Sequence, residues 1–174
     1  GDAARGCVER RDASGHAFPP LPAGWSVLLL AVDEVHVAFV DGARVGSGIW
    51  PFETAVYARR SGTSSLVAIR AENTLGPAAL AAEVRHADGR VVGSDASWRV
   101  WVAATGDGPE AAPPSGWERA GFDDSSWAAA TIVARVGDEP WGAGEHFGEG
   151  APAARIWAAD RSARVVYFRG RVGP

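Results

Sequence analysis

The sequence predicts an all-β, antiparallel sandwich or barrel. Three observations carry that expectation. Apolar residues come in short, strand-sized bursts along the 174 residues, and none approaches the roughly 18 residues of a membrane span. Turn signals separate the bursts at regular intervals, and no stretch holds a convincing helical period. The segment 116–142 then sets Trp117, Trp127 and Trp141 around the acidic, turn-forming run Phe122–Ser126. Aromatic anchors alternating with short polar turns are what a sandwich needs to tie its loops to its core.

The elements follow in order. Residues 1–24 end in Phe-Pro-Pro-Leu-Pro-Ala-Gly and read as an extended arm or linker, because Pro disrupts helix and sheet interiors. Residues 25–174 form the sandwich. Val27–Ala31 is a fully apolar strand, and Val35–Val40 is apolar at nearly every position, as for a strand covered on both sides. Asp41-Gly42 marks a tight hairpin whose return begins at Ala43–Val45. Strands over Thr54–Ala58 and Leu66–Glu72 flank the polar turn 59–65. Ala78–His86 is Ala-rich enough to pass for a helix, but Asp88-Gly89 follows and Arg90–Val92 resumes, which is hairpin spacing. Ser97–Val102 alternates Trp98 and Val100 against Arg99 and Trp101. A Gly/Pro-rich loop over 105–115 precedes a strand over Ala128–Val136, with one helical turn at Ser125–Ala130 capped by Asp124 or Ser125. After the Gly-rich loop 137–154 the chain closes with strands at Arg155–Ala158 and Arg164–Val172. The count is about ten short strands.

Composition excludes several classes. The net charge is −4, and the 17 basic residues are all Arg in runs no longer than two, which argues against nucleic acid and anionic membranes as partners. The lack of Lys and Met beside abundant Ala, Gly, Pro and Arg points to a GC-rich, bacterial source. The N-terminal stretch lacks the charged-then-apolar order of a signal peptide. A lone Cys7 rules out an internal disulfide framework; it is an incidental thiol or the site of an intermolecular disulfide.

Several segments together resemble the galactose-binding-like (discoidin-like) β-sandwich, a jelly-roll module found as an accessory domain of bacterial α-L-rhamnosidases and in secreted multidomain proteins. They are Val32-Asp33-Glu34, Val40-Asp41-Gly42, Trp50, the run Arg70–Leu80, Ser94–Trp98, the run Gly116–Gly142, Ile156-Trp157 and Val166-Tyr167-Phe168-Arg169. The match runs from about residue 27 to 172, and it is the order and spacing that make it specific. Asp41 stands where the family has Asn, a mild change because both tolerate positive φ. Glu34 replaces a second Asp and weakens any metal site using that carboxylate, and Ala79 replaces a Gly, implying different strand packing.

The resemblance implies a non-catalytic, extracellular, secreted or surface-borne carbohydrate-binding module. Sugars dock on aromatic faces flanked by polar groups that fix orientation. Trp50, Trp101 and Trp141 border Gly/Pro-rich loops and are the candidate platforms, with Arg99 and Glu72 as polar partners; Glu72 has a competing use as an ion-pair partner of Arg70 or Arg99. Trp98, Trp117, Trp127 and Trp157 occupy fold-signature positions and belong to the core. Asp123, Asp124 and Asp33 are candidate Ca²⁺ ligands, since domains of this fold often carry one Ca²⁺. The competing reading of Asp123 and Asp124 is capping of the following turn. Asn73 is the single Asn and is expected to bond loop backbone.

The four His are not at metal-ligand spacing, and His36 in its apolar strand is expected to be a satisfied core or edge residue. No nucleophile elbow appears, and the carboxylates form no glycosidase couple by sequence. The alternative function is a structural or adhesive subunit that self-associates through the N-terminal arm and Cys7, since a mobile arm can add a strand to a neighbour's edge.

Overall fold

A computed structural model describes residues 23–49, 54–60, 65–142, 147 and 150–173. The N-terminal arm with Cys7, and Trp50, lie outside them. Twelve strands run in chain order: β1 (Trp25–Val32), β2 (Val35–Val40), β3 (Ala43–Ile49), β4 (Thr54–Arg60), β5 (Leu66–Glu72), β6 (Leu80–Arg85), β7 (Val91–Gly93), β8 (Arg99–Thr105), β9 (Ala128–Ala129), β10 (Thr131–Arg135), β11 (Ala154–Trp157) and β12 (Ala163–Arg171). Among the described residues there is no helix. All pairings are antiparallel. One sheet has the order β10-β11-β6-β1-β4, with β7 also on β6; the other is β3-β2-β5-β12-β8-β9. This is the expected β-sandwich.

Period-two alternation sorts each strand between faces. In the first sheet Leu28, Leu30 and Val32 of β1 lie opposite Val84, Ala82 and Leu80 of β6. In the second, Ala38, Ile69, Phe168 and Val100 form one row across β2, β5, β12 and β8. These rows face each other and make the main core with Trp98 and Trp157. Gly170 lies flat under the Trp98 ring, and any Cβ there would enter it.

The opposite faces are not bare. Segment 105–127 folds across the outside of the second sheet, where Trp117 and Trp127 pack on Leu66, Ala68, Val165 and Tyr167. Phe147 and Ala153 cover Val27, Leu29 and Ala81 on the outside of the first sheet. Strands buried on both faces read as continuous apolar runs, which accounts for β1. Strand β2 differs from expectation: it alternates, with His36, Ala38 and Val40 buried and Val35, Val37 and Phe39 half-buried. Its outer face is only partly covered, by Phe39 against Trp117.

The turns obey local chemistry. Asp41 (φ 49°) and Gly42 (φ 81°) are both left-handed, the geometry a two-residue hairpin requires. The Asp41 carboxylate also accepts hydrogen bonds from the backbone N–H groups of Ser65 and Leu66, each at 2.9 Å. The helical turn expected at Ser125–Ala130 is instead a β-turn, closed by Trp127 N–H to Asp124 C=O at 3.0 Å. Strand β9 follows at once, so no room remains for a helical turn.

Candidate functional site

One end of the sandwich gathers most of the chemistry. It is built from the β1–β2 turn (Asp33, Glu34), the β5–β6 connection (73–79) and the turn 137–142 after β10. Strand β3 ends at Ile49, opposite Val35, and β4 starts at Thr54, opposite Ala31. The flanks of the Trp50 connection therefore border the Asp33–Glu34 turn.

At this rim the half-buried Trp141 donates its indole Nε1–H to Asp33 Oδ2 at 2.9 Å. The Arg155 guanidinium lies 5.5 Å from the indole centroid, within cation–π range. Arg155 is 3% exposed and donates Nη2–H to the Gly142 carbonyl at 2.7 Å. Its Nε is buried and has no partner among the described residues. Burial raises the Asp33 carboxyl above its ordinary value, against the opposing pull of the Trp141 hydrogen bond. Burial also lowers Arg155, with Asp33 and Asp138 opposing. Next to Asp33, Glu34 adopts φ 77°, an uncommon backbone for a residue other than glycine. Its carboxylate accepts from Thr74 N–H at 2.5 Å and Leu75 N–H at 3.0 Å. That cap fixes the 73–76 loop, with Asn73 donating to the Gly76 carbonyl at 3.1 Å as expected, and leaves Leu75 77% exposed at the tip.

The other candidate platform belongs elsewhere. Arg70, Tyr167 and Trp101 form one row on the outside of the second sheet, and Arg99 lies in the next row beside Arg169. Trp101 stacks on Trp127 at 6.1 Å and meets Tyr167 edge-on at 5.6 Å. It is part of the covering layer, with one side committed to packing. Glu72 takes the ion-pair role: it binds Arg70 at 2.9 Å and Arg164 at 2.5 Å. Arg70 also holds Glu110 at 2.5 Å, and that hydrogen bond lowers the Glu110 carboxyl. Tyr167 donates to Glu110 at 2.8 Å; burial first, and Glu110 second, push its hydroxyl up to about 12. This network straps the 105–115 loop to the sheet.

Trp141 thus lies at the rim over the outside of the first sheet, while Trp101, Arg99 and Glu72 lie on the outside of the second. The four proposed ligand residues that are described, Trp141, Trp101, Arg99 and Glu72, do not converge, and Trp50 lies outside the described residues. Arg155 was missed by sequence reasoning. An Arg opening a strand gives no local sign that its side chain will be buried under a distant indole.

Of the three acidic candidates, Asp123 and Asp124 share a turn and Asp33 lies at the rim beside Trp141, and each has a different partner. Asp123 caps the turn through Ser125 N–H at 3.0 Å, and that bond lowers its carboxyl. Asp124 binds Arg169 Nε–H at 2.7 Å, and Asp33 binds Trp141. Arg169 is 1% exposed and donates to the carbonyls of Trp117, Arg119 and Phe122 as well. Carbonyl and carboxylate oxygens gathered from a loop are what Ca²⁺ takes; here a guanidinium fills that set. Among the described residues no group of three or more His, Cys, Asp or Glu is placed to hold a metal ion. A small pocket near the β3–β4 edge is lined mainly by aliphatic side chains, Val27, Leu28, Val40, Val45 and Val84, with Ser26 and Tyr57, and the Tyr57 hydroxyl is already bonded to His36.

No protein-family model matches the chain. The chain is 28% identical over 130 residues to an α-L-rhamnosidase of Streptomyces avermitilis, a match covering 67% of this chain and 12% of the enzyme. The solved structure of a Streptomyces avermitilis α-L-rhamnosidase complexed with L-rhamnose superposes with a TM-score of 0.53 at 28% identity, over 73% of this chain and 13% of that one. The apo lectin of Pleurotus ostreatus gives 0.54 at 29% identity, over 71% of this chain and 35% of that one. The same lectin in complex with GalNAc also gives 0.54, at 28% identity over 71% of this chain and 36% of that one. The sandwich is similar to a module of both proteins. The rhamnosidase likeness expected from the motifs is present in sequence and in fold. The chain spans about an eighth of the rhamnosidase and about a third of the lectin.

Proposed function

We propose that this chain is a non-catalytic carbohydrate-binding β-sandwich module acting outside the cell, with its glycan docking at the rim around Trp141. The observation that carries this reading is the likeness to two proteins solved with sugars, GalNAc in one and L-rhamnose in the other, through a module that makes up only part of each. Trp141 supplies an apolar face at the rim, Asp33 a carboxylate beside it, and Leu75 a further apolar contact. The carboxylates support a non-catalytic role. Glu72, Glu110 and Asp124 are each committed to Arg partners that hold the structure together, a use that competes with service as an acid/base couple.

A glycan array run with Ca²⁺ and again with EDTA tests this. Selective binding that Trp141→Ala strongly weakens is the expected result. Loss in EDTA alone would place Ca²⁺ in the site or its support. A blank array from well-folded protein would overturn the reading in favour of self-association through the N-terminal arm and Cys7, which particle size and Cys7→Ser would then report.

A further inference from the structure

Trp141 sits in a turn that closes on itself. Gly142 N–H bonds the Asp138 carbonyl at 2.9 Å, and Gly137 N–H bonds the Gly142 carbonyl at 3.0 Å. These bonds hold the backbone but leave the indole free to rotate about its side-chain torsions. Two side chains from other elements remove that freedom. Asp33, between β1 and β2, accepts from the indole N–H at 2.9 Å. Arg155, on β11, lies 5.5 Å from the ring centroid and is tied to the Gly142 carbonyl at 2.7 Å.

We propose that Asp33 and Arg155 are positioning residues that clamp the Trp141 indole in the orientation a glycan stacks on, so that binding at this rim depends on them through Trp141. The inference rests on the reading of Trp141 as the sugar platform. Arg155 supplies the second observation. Its Nε is buried and has no partner among the described residues, and a buried N–H left unpaired is unfavourable. Anchoring the turn would require only the Nη2–Gly142 bond. The guanidinium is placed over the indole, 5.5 Å from its centroid.

The clamp is sensitive to acid. The charged groups facing Asp33 are Glu34 on its own turn and Arg155 from β11; Asp138, from the Trp141 turn, faces Arg155. Burial raises the Asp33 carboxyl, so it takes up its proton at a higher pH than a free Asp. Protonation weakens the acceptor for the indole N–H and removes the counter-charge of Arg155. Glycan affinity therefore falls with falling pH, beginning above the range where an exposed Asp titrates.

The experiment pairs a glycan that the array identifies with ¹⁵N spectra of the indole N–H groups, the Trp141 signal being assigned by its loss in Trp141→Phe. Asp33→Ala should weaken binding about tenfold in the wild-type background and add nothing in Trp141→Ala, since residues acting through one another are not additive. Asp33→Asn keeps an acceptor oxygen and should weaken binding less, while flattening the acid limb of the pH profile. The Trp141 resonance should move in Asp33→Ala and through the acid titration. Additive losses, or an indole resonance unmoved in both, overturn the proposal. If no glycan binds the wild-type chain, the functional reading fails, and the indole titration still decides the clamp: movement supports it and an unmoved signal overturns it.

Discussion

Arg169 explains why the tryptophan-rich segment is a fold signature. Its guanidinium is completely enclosed, pairs with Asp124 at 2.7 Å, reaches three loop carbonyls and lies 5.0 Å from the Phe122 ring centroid. Removing one partner of a buried ion pair costs about 3–5 kcal/mol, because the other is left uncompensated. Arg169→Ala should show a loss of that size in urea unfolding; a loss under about 1 kcal/mol, the range of exposed ion pairs, would assign the loop's stability to its aromatics alone. Arg169→Lys should recover only part, since an ammonium cannot present the planar fork that meets Asp124 and the carbonyls together. The neighbouring Gly170→Ala drives a methyl into Trp98, and overpacking of this kind costs about 1–3 kcal/mol. A thermal midpoint equal to wild type would show that Trp98 can move aside. The Asp-Asp-Ser-Ser-Trp and Tyr-Phe-Arg motifs were both legible in the sequence. Their partnership was not, because 45 residues separate Asp124 from Arg169 and only the register of β12 against β8 brings them together.

Among the elements, the strands were read well wherever period-two patterning or a turn pair marked them. Val35–Val40 and Leu66–Glu72 have the expected bounds, and the Ala-rich stretch expected as a strand over Ala78–His86 holds β6 over Leu80–Arg85, because Asp88-Gly89 closes a hairpin onto β7. Strand β3 runs on to Ile49 through Gly46 and Gly48, beyond the Ala43–Val45 stretch at which the return was expected to begin. The reason is tertiary: the Tyr57 ring from the other sheet lies over Gly46 and the ring of His36, the cross-strand partner on β2, lies over Gly48, so small residues there make room for aromatic ones. His36 and Tyr57 share a hydrogen bond at 2.8 Å that ties the β2–β3 edge of one sheet to β4 of the other. Burial lowers His36 from 6.5 to about 4. Between those values the unfolded chain binds a proton that the folded chain does not, so stability rises with pH. The contribution is fully present above pH 6.5 and is lost as pH falls towards 4, reaching at most about 3 kcal/mol. Unfolding midpoints of His36→Gln compared with wild type from pH 4 to 7 test this. The two profiles should diverge in slope across that interval, and parallel profiles would remove His36 as the cause.

Over the whole molecule, strand pattern and aromatic motifs were enough to name the architecture but not to place the site. Two opposite faces and a rim carry Trp, Arg and Glu in similar local contexts, and the sequence does not reveal which sheet a strand joins. Only the pairing order puts Trp101 on one outer face and Trp141 beside Asp33. The same order predicts how stability is distributed. Strands β5 and β12 are central in their sheet, with Leu66, Val67, Ala68, Ile69, Val165, Val166 and Phe168 all at 0% exposure. The main core covers them on one side and the 105–127 layer on the other. Strand β3 is an edge whose residues are exposed or half-buried. Local opening is easiest where buried contacts are few, so amide exchange should be slowest in β5 and β12 and fastest in β3. Arg169→Ala then asks whether the outer layer opens separately. The layer is joined to the sheet through Arg169 and through the Arg70–Glu110–Tyr167 network, whereas β1 and β6 meet the rest of the molecule through the main core. Exchange should therefore quicken at the amides of 117–127 in this variant while β1 and β6 keep their protection. Uniform acceleration across all strands would mean instead that the outer layer and the two sheets unfold as one cooperative unit.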